Sequence, residues 1–132
     1  MAKKILVIED DENLRSVLND SLAKEGYSTL EAKNGEQGLE LALSEHPDLI
    51  LLDIILPDLN GIDMLKQIRG DEAWGQSAKV IMLTNLSDSQ SVAACLDLGA
   101  HSFLVKSDWQ IQDILKVIQD ELAGQPRLRR RA

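Results

Sequence analysis

The feature of this chain that most narrows its fold is a fivefold alternation. Short, nearly uninterrupted apolar runs recur along it, separated by stretches whose apolar residues repeat at helical spacing. The runs are Ile5–Ile8, Leu49–Leu52, Val80–Leu83 and Phe103–Val105. Each is too short for an ordinary helix. Apolarity at consecutive positions, rather than at alternate ones, marks strands covered on both faces, as in a parallel sheet. Tyr27–Ala32 is more polar and is expected nearer a sheet edge.

The stretches between carry helical signatures. Leu14, Val17, Leu18 and Leu22 share one helical face, with Gly26 as the stop. Asn34 with Gln37 has the form of a capping box ahead of Leu39, Ala42 and Leu43, and Pro47 ends that helix. Ile62, Leu65 and Ile68 form a stripe closed by Gly70. Asp88 or Ser89 is placed to cap a helix bearing Val92, Cys95 and Leu96, ended by Gly99. Asp108 is placed to cap the last, whose face is Ile111, Ile114, Leu115, Ile118 and Leu122. A β-α unit repeated five times implies an α/β fold: a parallel sheet, right-handed crossovers and helices on both faces. The 132 residues suit one domain able to bury a core without staples. The single cysteine, Cys95, lies on an apolar stripe and reads as core in a reducing compartment. We expect the packed domain over residues 1–123. Residues 124–132 are expected to be a basic tail, the start of a linker or an appended sequence.

Charge narrows the function classes. The net charge is −8, and removing the +4 of Arg127, Arg129, Arg130 and Arg131 leaves −12 on residues 1–124. So acidic a body repels nucleic acid and anionic membrane, and Tyr27, Trp74, Phe103 and Trp109 are too few rings for a base-stacking surface. No apolar run approaches the ~20 residues of a membrane span, and the short run after Lys3-Lys4 meets acid at Glu9. The expectation is a cytoplasmic protein without direct contact to nucleic acid or membrane.

In an open α/β sheet, ligands bind beyond the carboxyl ends of the strands. Here those ends read Glu9-Asp10-Asp11, Asp53, Thr84 and Lys106. Each alone has an ordinary explanation: a solvated loop, a helix cap, a local hydrogen bonder, a surface lysine. Asp11 is read as a cap of the first helix and not as a metal ligand. Their joint arrival at one edge is the signal. Two carboxylates about 5 Å apart repel by roughly 3 kcal/mol at an effective dielectric of 20, which is no way to stabilise a fold. A hard divalent cation makes the cluster sensible, and Mg2+ takes one or two carboxylates together with a phosphate. Lys106 offers a point charge for a phosphoryl oxygen, Thr84 a hydroxyl donor, and an aspartate can itself become an aspartyl phosphate. The sequence has no GxxxxGK[ST] and no GxGxxG, so a nucleotide is not the expected donor. His46 is assigned to a helix end, His101 and Trp74 receive no role, and Trp109 is expected to pack locally.

These residues resemble the receiver domain of bacterial two-component response regulators, over roughly residues 3–122. Lys4-Ile5-Leu6-Val7-Ile8-Glu9-Asp10-Asp11-Glu12-Asn13-Leu14-Arg15 looks like the family's first strand and acidic pair. Asp53-Ile54-Ile55-Leu56-Pro57-Asp58-Leu59-Asn60-Gly61 looks like its phosphoacceptor loop, with Pro four and Gly eight positions after the aspartate. Thr84, Phe103 and Lys106 match its switch hydroxyl, switch aromatic and lysine. The resemblance implies a flavodoxin-like (βα)5 three-layer sandwich with a five-stranded parallel sheet. It implies that a sensor histidine kinase or phosphotransfer protein passes a phosphoryl group to Asp53. It further implies Mg2+ held by Asp10, Asp53, the Ile55 backbone carbonyl and, through water, Glu9. Lys106 would pair with Asp53 and then the phosphoryl group, Thr84 would hydrogen-bond that group, and Phe103 would swing inward as Thr84 moves. The output would reach a downstream protein, or an effector domain outside this chain, through the surface of helix four, strand five and helix five. The domain would be a signalling switch rather than an enzyme, with self-phosphorylation from small donors and self-dephosphorylation among its expected behaviours; whether it forms a homodimer when phosphorylated is left open by the sequence.

Three departures from the family pattern stand out. Ser107 follows Lys106 where proline is usual, which leaves open whether that peptide is cis; Asn85 follows Thr84 where a small residue is usual; and Gly99–Phe103 lacks the paired acids of winged-helix regulators. Two rival readings are a flavodoxin-like FMN-binding module, whose phosphate the first acidic loop would repel, and a scaffold that works without phosphorylation.

Overall fold

The computed structural model describes residues 2–124. Five strands form one parallel sheet: β1 (Lys4–Ile8), β2 (Ser28–Ala32), β3 (Leu49–Leu52), β4 (Val80–Thr84) and β5 (Ser102–Val105). The order is β2-β1-β3-β4-β5. The polar strand β2 lies at an edge, as its composition predicts, and the fully apolar β1, β3 and β4 fill the interior. The helices are α1 (Glu12–Lys24), α2 (Gly35–Glu45), α3 (Gly61–Arg69), α4 (Ser89–Asp97) and α5 (Ile111–Leu122).

Because strand side chains alternate, each continuous apolar run serves two cores. Leu6, Ile8, Ile50, Leu52, Val80 and Met82 face one cluster, closed by Ala42, Met64, Leu65, Ile68 and Cys95 from α2, α3 and α4. Ile5, Val7, Leu49, Leu51, Ile81 and Leu83 face the other, closed by Leu18 and Leu22 of α1 and Ile114, Val117 and Ile118 of α5. This is the three-layer sandwich expected from the alternation.

Local chemistry sets the helix ends. Asp11, Asn34, Asn60 and Asp88 each occupy an N-cap and accept a backbone amide of the first turn. Gln37 turns back as the capping-box pattern requires, but accepts the amide of Lys33, one residue before the cap. Gly26, just past α1, takes φ +93, a left-handed conformation that glycine adopts without strain. Two apolar residues of the expected helical faces are exposed, Val17 at 47% and Leu43 at 39%. Asp108 does not cap α5. Lys106–Asp108 form a short 3-10 turn, Trp109 packs half-buried against the α1/α5 cluster, and the helix starts two residues later behind Gln110, which makes no side-chain cap bond. His46 ends α2 in a left-handed conformation, and its ring stacks on Trp74 at 4.8 Å, which gives Trp74 a partner that the sequence alone left unassigned.

The sheet's amino-terminal edge is tied by Arg69. Its guanidinium donates to the carbonyls of Gly75, Ala78, Leu98 and Gly99, joining the segments that lead into β4 and β5. Burial lowers its pKa from the ordinary value. Nearby, Glu121 of α5 is buried, its carboxylate accepting the Ser102 hydroxyl while its carbonyl accepts Lys79 Nζ at 2.6 Å.

Candidate functional site

Strand order reverses between β1 and β3, and the crevice opens where their carboxyl ends diverge. The register pairs Ile8 with Leu52, so the next residues, Glu9 and Asp53, leave the sheet at one level. Thr84 ends β4, paired with Val105, and Lys106 follows it. The residues singled out from sequence therefore converge: one carboxylate oxygen from each of Glu9, Asp10 and Asp53 lies within 4.8 Å of the others. Glu9 and Asp53 are buried and Asp10 is exposed.

Lys106 stands between two of the acids. Its ammonium lies 2.6 Å from Asp53 Oδ2 and 2.7 Å from Glu9 Oε1. Burial lifts the Glu9 pKa above the ordinary carboxyl value, although Lys106 and the Asp11 amide pull it down. Burial works against the Lys106 ammonium, yet the hydrogen bonds to Asp53 and Glu9 outweigh it and leave the pKa raised. The site is thus a compact, partly neutralised acid cluster whose exposed member is Asp10. Its donors are hard oxygens, the set that Mg2+ prefers, and the residues fit such an ion.

The backbone around Asp53 is held by contacts that the sequence alone did not reveal. Asp53 Oδ1 accepts the Ile55 amide at 3.1 Å. Asp58 accepts the amides of Gly35, Glu36 and Leu59, pinning the β3–α3 loop to the start of α2, and these bonds lower its pKa. Arg15 of α1 donates to the Glu9 carbonyl at 2.8 Å while its Nε lies 3.3 Å from Glu31. A Cβ at Gly61 would lie 2.2 Å from the Asp53 carbonyl oxygen, so only glycine allows α3 to start this close to the acidic loop. The Gly61 position was legible as a motif; its reason was not.

Thr84 is fully buried, and its hydroxyl accepts the Leu86 amide at 3.2 Å. Phe103 is 3% exposed and packs inside the α2/α3/α4 cluster. Among the described residues no peptide bond is cis, so Lys106–Ser107 is trans. Asn85 Oδ1 accepts the Ser107 amide at 3.2 Å. Ile55 is 59% exposed and lines a shallow pocket of the β3–α3 loop with Leu56, Pro57 and Leu86.

A parallel 2-1-3-4-5 sheet with an acid cluster and a lysine at its switch point defines a class. The chain belongs to the family of response regulator receiver domains, whose profile matches residues 5–119. It is 39% identical over 123 residues to the response regulator ArlR of Staphylococcus saprophyticus, an alignment covering 93% of this chain and 54% of that protein. The chain therefore spans about half the length of the curated relatives it matches. Among solved structures, a CheY-like receiver domain protein from Methanospirillum hungatei superposes with a TM-score of 0.88 at 28% identity, covering 95% of this chain and 97% of that one. The BeF3-activated N-terminal receiver domain of Klebsiella pneumoniae RstA gives 0.80 at 26% identity, covering 91% and 98%. No helix among the described residues is long and apolar enough to cross a membrane.

Proposed function

We propose that this domain is switched by phosphorylation of Asp53, the group coming from a phosphohistidine of a sensor kinase or phosphotransfer protein. The observation that carries this reading is the Asp53 carboxylate itself. It is buried, held by the Ile55 amide on one oxygen and Lys106 on the other, and faces two further acids. In the transfer, an Asp53 oxygen forms a bond to phosphorus as the P–N bond breaks, and the histidine nitrogen keeps the electron pair. Because the transferred group is nearly metaphosphate-like, the protein's task is to position and to neutralise charge. Lys106, released from Asp53 Oδ2, follows the phosphoryl oxygens, and the Thr84 hydroxyl turns from the Leu86 amide to donate to them. Glu9, Asp10, Asp53 and the Ile55 carbonyl would hold Mg2+, which when bound offsets the charge that gathers on those oxygens. Water attacking phosphorus reverses the modification and returns the carboxylate with inorganic phosphate.

Signal then leaves through the face of α4, β5 and α5, where Phe103 lies in β5 and Thr84, at the end of β4, pairs with Val105 of β5. Phosphate shifts that face only by interacting better with one arrangement of Thr84 and its loop than with the other. The partners there are a downstream protein or a linked effector domain. The test is direct: incubation with phosphoramidate and MgCl2 adds one phosphoryl group by intact mass, and none to Asp53→Asn. Equal labelling of the Asn variant would overturn the assignment.

A further inference from the structure

The β4–β5 ladder ends at the Thr84–Val105 pair. Beyond it the chain must still hold Lys106, whose long side chain bridges Glu9 and Asp53. The 3-10 turn that carries Lys106 ends on a long bond of 3.4 Å from the Trp109 amide to the Lys106 carbonyl. One side-chain link reaches across to it: Asn85 Oδ1 accepts the amide of Ser107, the residue directly after Lys106. Asn85 in turn directly follows Thr84. The link therefore joins the two strand ends that supply the hydroxyl and the ammonium, on the side of the crevice opposite Glu9.

We propose that Asn85 is a positioning residue for phosphoryl transfer, fixing the root of Lys106 through the Ser107 amide so that the ammonium stays aimed at Asp53. A lysine has four rotatable methylenes, and its charge can only be placed reproducibly if its backbone is placed first. A proline at 107 would have no amide to offer, and an alanine at 85 no acceptor; this chain has both halves of the bond. The Ser107 hydroxyl is not needed for it. This inference rests on the reading of Asp53 as phosphoacceptor.

The experiment measures phosphoramidate labelling of the 132-residue chain by mass, with Mg2+ affinity measured in parallel by calorimetry. Asn85 is exposed, so Asn85→Ala is expected to fold, which an unchanged melting profile checks. Labelling should slow about three- to tenfold, the size of one lost hydrogen bond in a rate. Mg2+ affinity should stay within about twofold, since Asn85 is not among the grouped oxygens. Asn85→Asp, which keeps the acceptor, and Ser107→Ala, which keeps the amide, should both label close to the parent rate. In a Lys106→Ala background, Asn85→Ala should add nothing, because its effect passes through Lys106. Full slowing in that background, or parent-like labelling of Asn85→Ala alone, would overturn the proposal. Labelling of Asp53→Asn would instead sink the phosphoacceptor reading, so the two failures are distinguishable.

Discussion

Replacing Asp10 with Asn should make the domain more stable without divalent ions and less stable with them. Lys106 neutralises part of the charge of Glu9 and Asp53, so Asp10 is the acid left facing a net negative site. At the 4.8 Å limit of their separation, a pair of carboxylates repels by about 3.5 kcal/mol at an effective dielectric of 20 and about 0.9 kcal/mol in water. Asp10 is exposed, so the lower figure applies and the expected gain is about 1 kcal/mol in EDTA at low salt. For a domain of this size that is a rise of about 4 °C in Tm. Mg2+ reverses the order, because an ion at 100 times its Kd stabilises the parent by about 2.7 kcal/mol and the variant, one ligand short, by less. Thermal melts followed by far-UV circular dichroism, with EDTA and with MgCl2, read both arms. A variant no more stable than the parent in EDTA, or one that gains as much from Mg2+, would refute the argument that repulsion among these acids is what the cation relieves.

Other substitutions probe the surroundings. Gly61→Ala places a Cβ 2.2 Å from the Asp53 carbonyl; the loop must yield by about 1 Å, costing about 2 kcal/mol in a urea melt and about a hundredfold in labelling rate. His101 is held below its usual pKa of 6.5 by burial, although Glu121 opposes this, and its Nδ1 accepts the Val80 amide. A depressed histidine contributes stability that is present above the unfolded pKa and lost as pH falls through the folded one. The melting temperature should therefore drop as pH falls from neutrality through 6.5, and His101→Gln should flatten that slope. Burial pushes the Cys95 thiol up to about 11, so iodoacetamide should leave it unmodified at pH 8 in the folded protein and alkylate it in denaturant, as mass spectrometry would report.

The alternation of apolar runs with helical stripes gave away the sheet, its parallel sense and the edge position of β2, because parallel strands buried on both faces leave an unbroken apolar signature. The site was legible for the same reason: once the strands are parallel, their last residues share an edge. Less visible were contacts between positions distant in sequence. Asp58 reaches α2 across 23 residues, and Lys106 reaches Asp53 across 53. No local pattern records which acid Lys106 will choose, and it bridges two. Helix margins also escaped. Val17 satisfies the spacing of the α1 stripe, but spacing does not tell how far a neighbouring helix extends over it. Asp108 has the chemistry of a cap, yet the turn that presents Lys106 takes up those residues first.

The Arg69 clamp has a consequence of its own. It spends a full positive charge on neutral carbonyls, at the far pole from the acids. Ion–dipole bonds in a half-buried corner are little screened by electrolyte, whereas Asp10, on the exposed side of the crevice, is open to it. The sheet is thus pinned at one pole by bonds that added salt leaves in place, while the charge that a cation or a phosphate would meet is gathered at the other.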